Sequence, residues 1–264
     1  MPSTDLDERF LEAFLAPIRK CANYTPAFGK GKSSQTLKVK EFQALYSADR
    51  FYAWLGLDSP LVYAAHKAAG GLTSVYRQIG VGSERLFRMV LSHSLSLSKD
   101  DLEWSYEYDK GRGKVGVHTL DAHVALGDLS SDAAERFDSW LRELRGQASI
   151  AVPISGAVFE VRQGYKSADS KRQNADLRYG VAAIRAGLLP VFAIMSAQVS
   201  EPVIRRYRAS SMIVLRGTIT NDPTTSTFAF FQEVVGYDLS SFFERNSARI
   251  QKEISHVVER LLSA

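Results

Sequence analysis

The chain has 264 residues, of which 45% are hydrophobic and 23% charged, which suits a folded globular protein and excludes a low-complexity or disordered one. No apolar run approaches the ~18 residues that span a bilayer, and the acidic start MPSTDLDERFLEAF is unlike a signal peptide, so no membrane partner and a cytoplasmic location are expected. A net charge of +4 hints at a polyanionic partner, and a lone cysteine, Cys21, excludes an internal disulfide framework and points to a reducing compartment.

In chain order, Asp5 to Ala22 carries Phe10, Leu11, Phe14, Leu15 and Ile18 at the spacing of one helical face. The loop TPAFGKGKSS follows, and Leu37 to Leu57 again has helical spacing. The stretch GGLTSVYRQIGVGSERLFRMVLSHSLSL predicts two short helices broken at Gly80 to Gly82, with Ser83 capping the second. Alternation begins near Leu102: Trp104, Tyr106 and Tyr108, then Val115, Val117 and Val124, with Lys110 to Gly113 as the turn of a hairpin. Ser130 to Gly146 is predicted helical, and SIAVPISGAVFEVRQGY a strand interrupted at Pro153 to Gly156. Asp169 to Gly187 is predicted as a helix with Leu177, Val181 and Ile184 inward. LLPVFAIMS and SMIVLRG have the length and composition of buried strands, with a helix between them begun by Ser200 and Pro202. TFAFFQEVVGYDL is expected as a further strand, and Ser240 onward as a helix.

This order predicts an α/β (α+β) fold with a central mixed sheet flanked by helices. A helical N-terminal region, 1–100, is expected to pack on a core at 101–264 within one compact unit.

The chemistry concentrates in FEVRQGYKSADSKRQNAD, Phe159 to Asp176. From Glu160 to Arg208 there are nine Lys or Arg against four acids, a surplus larger than that of the whole chain. Alternate residues of a strand share a face, so Glu160, Arg162, Gly164 and Lys166 point one way. A carboxylate and an ammonium there suit a phosphodiester: the acid binds Mg²⁺ and the lysine stabilises charge or orients water. A second acid is needed from a neighbouring strand, and Asp121 in VHTLDAHVAL is the candidate. The competing reading of Glu160 and Lys166 is a salt bridge at a strand end.

An acid in one strand, an acid with a lysine in the next, then a basic helix, a buried strand, another helix and a last strand resemble the PD-(D/E)XK nuclease superfamily, most closely its type II restriction endonucleases. The resemblance covers roughly Trp104 to Gly217. It implies that Asp121 and Glu160 are the metal-binding acids and Lys166 the catalytic lysine, with Glu84 of GSERLFR as a contributing helix acid. Leu120, not proline, precedes Asp121, and Arg162 stands where the family has its lysine; Arg162 is then expected to stabilise phosphate charge. The family implies Mg²⁺ as cofactor, double-stranded DNA as substrate, a homodimer, and no nucleotide cofactor.

Lys171, Arg172, Gln173 and Asn174 are candidates for holding phosphates or reading base edges. Arg77 and Arg85, with Arg88, flank the Gly turn and the Ser83 helix start, where a phosphate would bind. Lys110, Arg112 and Lys114 at the hairpin tip are further candidates; solvated turns and helix faces are the alternative for all of these. FGKGKSS lacks the first glycine of a P-loop, which would fall at Pro26. His118 and His123 lack a third ligand at zinc spacing. Two other functions stay open: a non-catalytic nucleic-acid-binding protein on the same fold, and a repair or recombination nuclease.

Overall fold

A computed structural model describes residues 4–28, 35–111, 113–164 and 170–263, with the backbone alone for Thr4, Gln35, Ser170, Lys171 and Arg172. Lys166 and Arg112, and most of the FGKGKSS loop, lie outside the described residues.

Helices α1 (Thr4–Arg19), α2 (Val39–Ala48), α3 (Arg50–Trp54) and α4 (Pro60–Leu95) dominate the first part of the chain, with a small antiparallel pair of β1 (Ala27–Phe28) and β2 (Gln35–Thr36). The hairpin follows as β3 (Ser105–Asp109) and β4 (Val115–Thr119), paired with Tyr106 opposite His118. A four-stranded sheet is built from β5 (Ala122–Ala125), β6 (Gly156–Arg162), β7 (Leu188–Ile194) and β8 (Ile213–Leu215), in that order. β5 and β6 are antiparallel; β6, β7 and β8 are parallel. The intervening helices are α5 (Ser131–Gln147), α6 (Ser170–Arg185) and α7 (Glu201–Arg208), and α9 (Leu239–Leu262) follows the short α8 (Thr227–Ala229). The fold is therefore mixed, with a mixed sheet and helices on its faces.

The chain divides into two compact units: 1–10 with 83–245, and 11–82 with 246–264. The expected boundary near residue 100 is thus displaced at both ends. Residues 83–100 belong with the sheet, because Phe87 of α4 packs on Phe159 of β6 at 5.3 Å. The end of α9 belongs with the N-terminal helices, because Val257 and Leu261 share a buried cluster with Cys21 and Val75.

In the sheet unit, β6 alternates strictly. Phe159 turns to one face and meets Phe87, Trp140 and Phe230. Val158 turns to the other and joins Tyr179 and Ala183 of α6, Ile204 and Tyr207 of α7, and Phe192 of β7. Every residue of β7 is buried, as a parallel strand covered on both faces requires.

Three sequence expectations are corrected. First, α4 runs unbroken through Gly80 and Gly82, and Ser83 is buried mid-helix rather than a cap. Gly82 is there for close packing: a Cβ would lie 2.3 Å from the Phe14 carbonyl oxygen. Second, TFAFFQEVV is not a strand but α8 followed by a π-helical turn, Phe230–Val235, which presents Phe230, Phe231, Val234 and Val235 to the core. Third, Val181 is exposed; the inward residues of α6 are Gln173, Asp176, Tyr179 and Ala183.

Candidate functional site

Asp121 lies in the short link between β4 and β5, next to the point where the chain crosses from the hairpin to the central sheet. Its N–H donates to the Phe159 carbonyl at 3.1 Å, just beyond the last register pair of β5 and β6. Its Oδ2 accepts the Val161 N–H at 2.7 Å. The Ala122–Phe159 pair ends the ladder, and just beyond it the Asp121 carboxyl comes within range of the Glu160 charge. The two acids anticipated from sequence are therefore brought together.

Electrostatics carry the mark of that crowding. Burial first, then the charge of Glu160 and of Glu84, push the Asp121 carboxyl up to about 8, while the Val161 N–H and Arg162 pull the other way. Glu84, on α4, is itself raised by burial, against the lowering pull of Arg88 and Arg85. Glu160 and Glu84 thus both act on Asp121.

Glu160 and Arg162 do share a strand face, but Arg162 is buried there. Its Nη2 donates to Glu160 Oε1 at 3.0 Å and to Asp176 Oδ1 at 2.7 Å. The guanidinium lies 5.3 Å from the Phe192 ring centroid, and the Tyr207 hydroxyl donates to Asp176 Oδ2. Arg162 is thus the centre of a buried ion network at the end of β6, held from α6 and α7. Its expected role of offering charge to phosphate is corrected to one of offsetting two carboxylates. Tyr179, fully buried nearby, has its phenol raised well above the usual range by burial and then by Glu160 and Asp176.

Sequence reasoning missed Asp176 and Tyr207. The signal was present: Asp176, Tyr179 and Ala183 recur at helical spacing, which makes Asp176 an acid on an otherwise buried face.

The expected base readers fare differently. Gln173 is buried, and its Oε1 accepts Arg206 Nη1 at 2.7 Å, while Asn174 Oδ1 accepts Arg206 Nη2 at 2.6 Å. Gln173 is thereby corrected to a structural partner of α7; burial removes it from any groove. Arg85 is exposed in the sheet unit and Arg77 exposed in the other, both on an unbroken helix, so the helix N-terminus expected to bind phosphate does not exist. Lys171 and Arg172 fall in the first turn of α6, and their side chains lie outside the description.

A cleft of about 220 Å³ opens at Glu160 and Arg162, lined also by Tyr106, Tyr108, His118 and Arg178. His123 is not part of it; its Nδ1 meets the Asp101 carbonyl at 2.9 Å. Among the described residues, no group of three or more His, Cys, Asp or Glu side chains is placed to hold a metal ion. No helix among them is long and apolar enough to cross a membrane.

No family model matches the chain, and neither does any curated protein or solved structure.

Proposed function

We propose that the chain is a Mg²⁺-dependent endonuclease that hydrolyses phosphodiester bonds of double-stranded DNA, of the type II restriction class, acting as a homodimer on a two-fold symmetric site. The observation that carries this reading is the closeness of Asp121 and Glu160 where β5 meets β6: burial first, then the Glu160 charge, pushes the Asp121 carboxyl up to about 8. The order of elements around it, with a hairpin before the first acid and parallel strands after the second, supports the resemblance to PD-(D/E)XK nucleases.

The donor set suits Mg²⁺: carboxylate oxygens are hard ligands, and the mutual repulsion of Asp121 and Glu160 is what a divalent cation relieves. When bound, such an ion supplies Lewis acidity toward the phosphodiester and acidifies a water. The rest is the chain's own. Asp121 Oδ2 accepts the Val161 N–H, which holds the carboxyl in place at the end of β6. Arg162 orients Glu160 through its Oε1. Lys166 is assigned to orienting the attacking water.

One observation favours a second reading, a non-catalytic nucleic-acid-binding protein: Glu160 is tied to Arg162 where the nucleases have lysine. Plasmid incubated with the protein and Mg²⁺ separates them. Discrete fragments are expected, lost in Asp121→Asn, Glu160→Gln and Lys166→Ala while DNA binding persists. Smearing would indicate a non-specific nuclease. Binding without any cutting by the wild type would sink the enzymatic reading, and normal cutting by Lys166→Ala would sink that lysine's role.

A further inference from the structure

The cleft beside Glu160 has a wall that an acid site alone does not need. Tyr106 and Tyr108 lie two residues apart on one face of β3, their ring centroids 6.2 Å apart. Tyr106 is fixed from behind, with Trp104 at 5.7 Å and the sheet's hydrophobic cluster beneath it. Tyr108 has a different setting. The Arg178 guanidinium stands 5.9 Å from its ring centroid and the Lys110 ammonium 5.8 Å. His118, paired with Tyr106 across the hairpin, adds an edge-on imidazole at 5.7 Å from that ring. Arg178 and His118 are both exposed, so the guanidinium and the imidazole face solvent rather than core.

An aromatic ring with a guanidinium and an ammonium lying over it suits one nucleotide of an unpaired strand, whose base takes the place of a cation on the ring while its phosphate keeps that cation beside it. A stacked duplex hides its base faces and offers only edges and backbone. At about 220 Å³ the cleft has room for a single planar group. Its position places such a nucleotide next to Glu160.

We propose that this cleft seats one unpaired nucleotide of a DNA strand, its base on Tyr108 and its phosphate between Arg178 and His118. The proposal rests on the nuclease reading for its purpose, since it would fix the strand beside the acid pair. The nucleotide would be extruded from a duplex or taken from a frayed end.

The test is binding without metal, so that cutting plays no part. Fluorescence anisotropy in EDTA compares a short labelled oligothymidylate with its duplex on oligoadenylate. The wild type is expected to bind the single strand, whatever its hold on the duplex. Tyr108→Ala is expected to weaken that binding by about tenfold or more, a base-stacking contribution, and Arg178→Ala to weaken it as well. Tyr108→Phe keeps the ring and should restore the wild-type value, which a loss of folding in the alanine variant could not mimic. No binding of the single strand, unchanged affinity in Tyr108→Ala, or a Tyr108→Phe variant as weak as alanine would each overturn the proposal. Those outcomes leave cleavage by the wild type untouched. Conversely, a protein that binds the single strand through Tyr108 but never cuts DNA with Mg²⁺ overturns the nuclease reading and leaves the cleft standing.

Discussion

Asp121 is where the sequence and the fold disagree most about a single side chain. As an isolated residue it should ionise near 4; in the fold its carboxyl is pushed up to about 8 by burial and by Glu160 and Glu84. The native state therefore binds a proton between those values that the unfolded chain has released. Stability falls as pH rises through that window, because the unfolded state binds fewer protons. Asp121→Asn removes the titration while its side-chain oxygen can still accept the Val161 N–H. The variant should gain on the wild type in thermal midpoint as pH is raised from 5 to 9, by several degrees, since ~1 kcal/mol is worth about 2–4 °C at this chain length. A midpoint difference that is flat with pH would mean that Asp121 is ionised throughout. Arg162 poses the opposite problem. Its guanidinium serves Glu160 and Asp176 from inside the protein. Arg162→Met leaves both carboxylates without it, and breaking a buried pair this way costs about 3–5 kcal/mol. Urea unfolding should register that loss, and Arg162→Lys should recover part of it by keeping the charge. A loss below ~1 kcal/mol would mean that the network is solvated.

At the scale of elements, patterns with one dominant cause were legible and patterns with two competing causes were not. β7 could be read because LLPVFAI is apolar throughout and of strand length, which a parallel strand covered on both faces demands. α5 could be read because Phe137, Trp140, Leu141 and Leu144 repeat at helical spacing. Phe230 to Val235 misled because apolar and aromatic residues satisfy a strand as well as a buried helical turn, and only packing against Phe87 and Trp140 decides between them. α4 misled for a different reason. Glycine reads locally as a break, since it costs a helix about 1 kcal/mol relative to alanine. At Gly82 that cost is offset by closeness to another helix, a contact no local rule contains. Gly82→Ala tests the account directly. Propensity alone says the variant is stabilised; a Cβ 2.3 Å from the Phe14 carbonyl oxygen says the backbones must separate. Overpacking of this kind costs about 1–3 kcal/mol, so a lower thermal midpoint is expected, and a raised one would refute close packing as the reason for glycine.

Across the whole molecule, the sequence order of helices and strands carried the fold class but not the division into units. Asp121 and Glu160 were found because one strand pairing was guessable; Asp176 and Tyr207 reach the same network from two later helices, and such meetings depend on tertiary contacts. The same holds at the chain's far end, where Val257 and Leu261 share a cluster with Cys21 and Val75 although more than half the sequence separates them. Cys21, the only cysteine, makes this contact measurable. Its side chain is buried, and its sulfur lies 3.5 Å from the Ser74 hydroxyl, so it should resist a thiol reagent under native conditions. Leu261→Ala removes a side chain that is 3% exposed, and such a truncation costs about 2–5 kcal/mol, the larger value where the cavity cannot collapse. If opening of the helical unit limits labelling, the reaction at Cys21 should speed up by the factor that this loss implies, about tenfold per 1.4 kcal/mol. An exposed apolar substitution in the same unit, Leu72→Ala, should leave the rate alone, since Leu72 is 46% exposed. Equal labelling in wild type and Leu261→Ala would mean that the end of α9 does not cover the cysteine, and that the cluster does not hold this unit together.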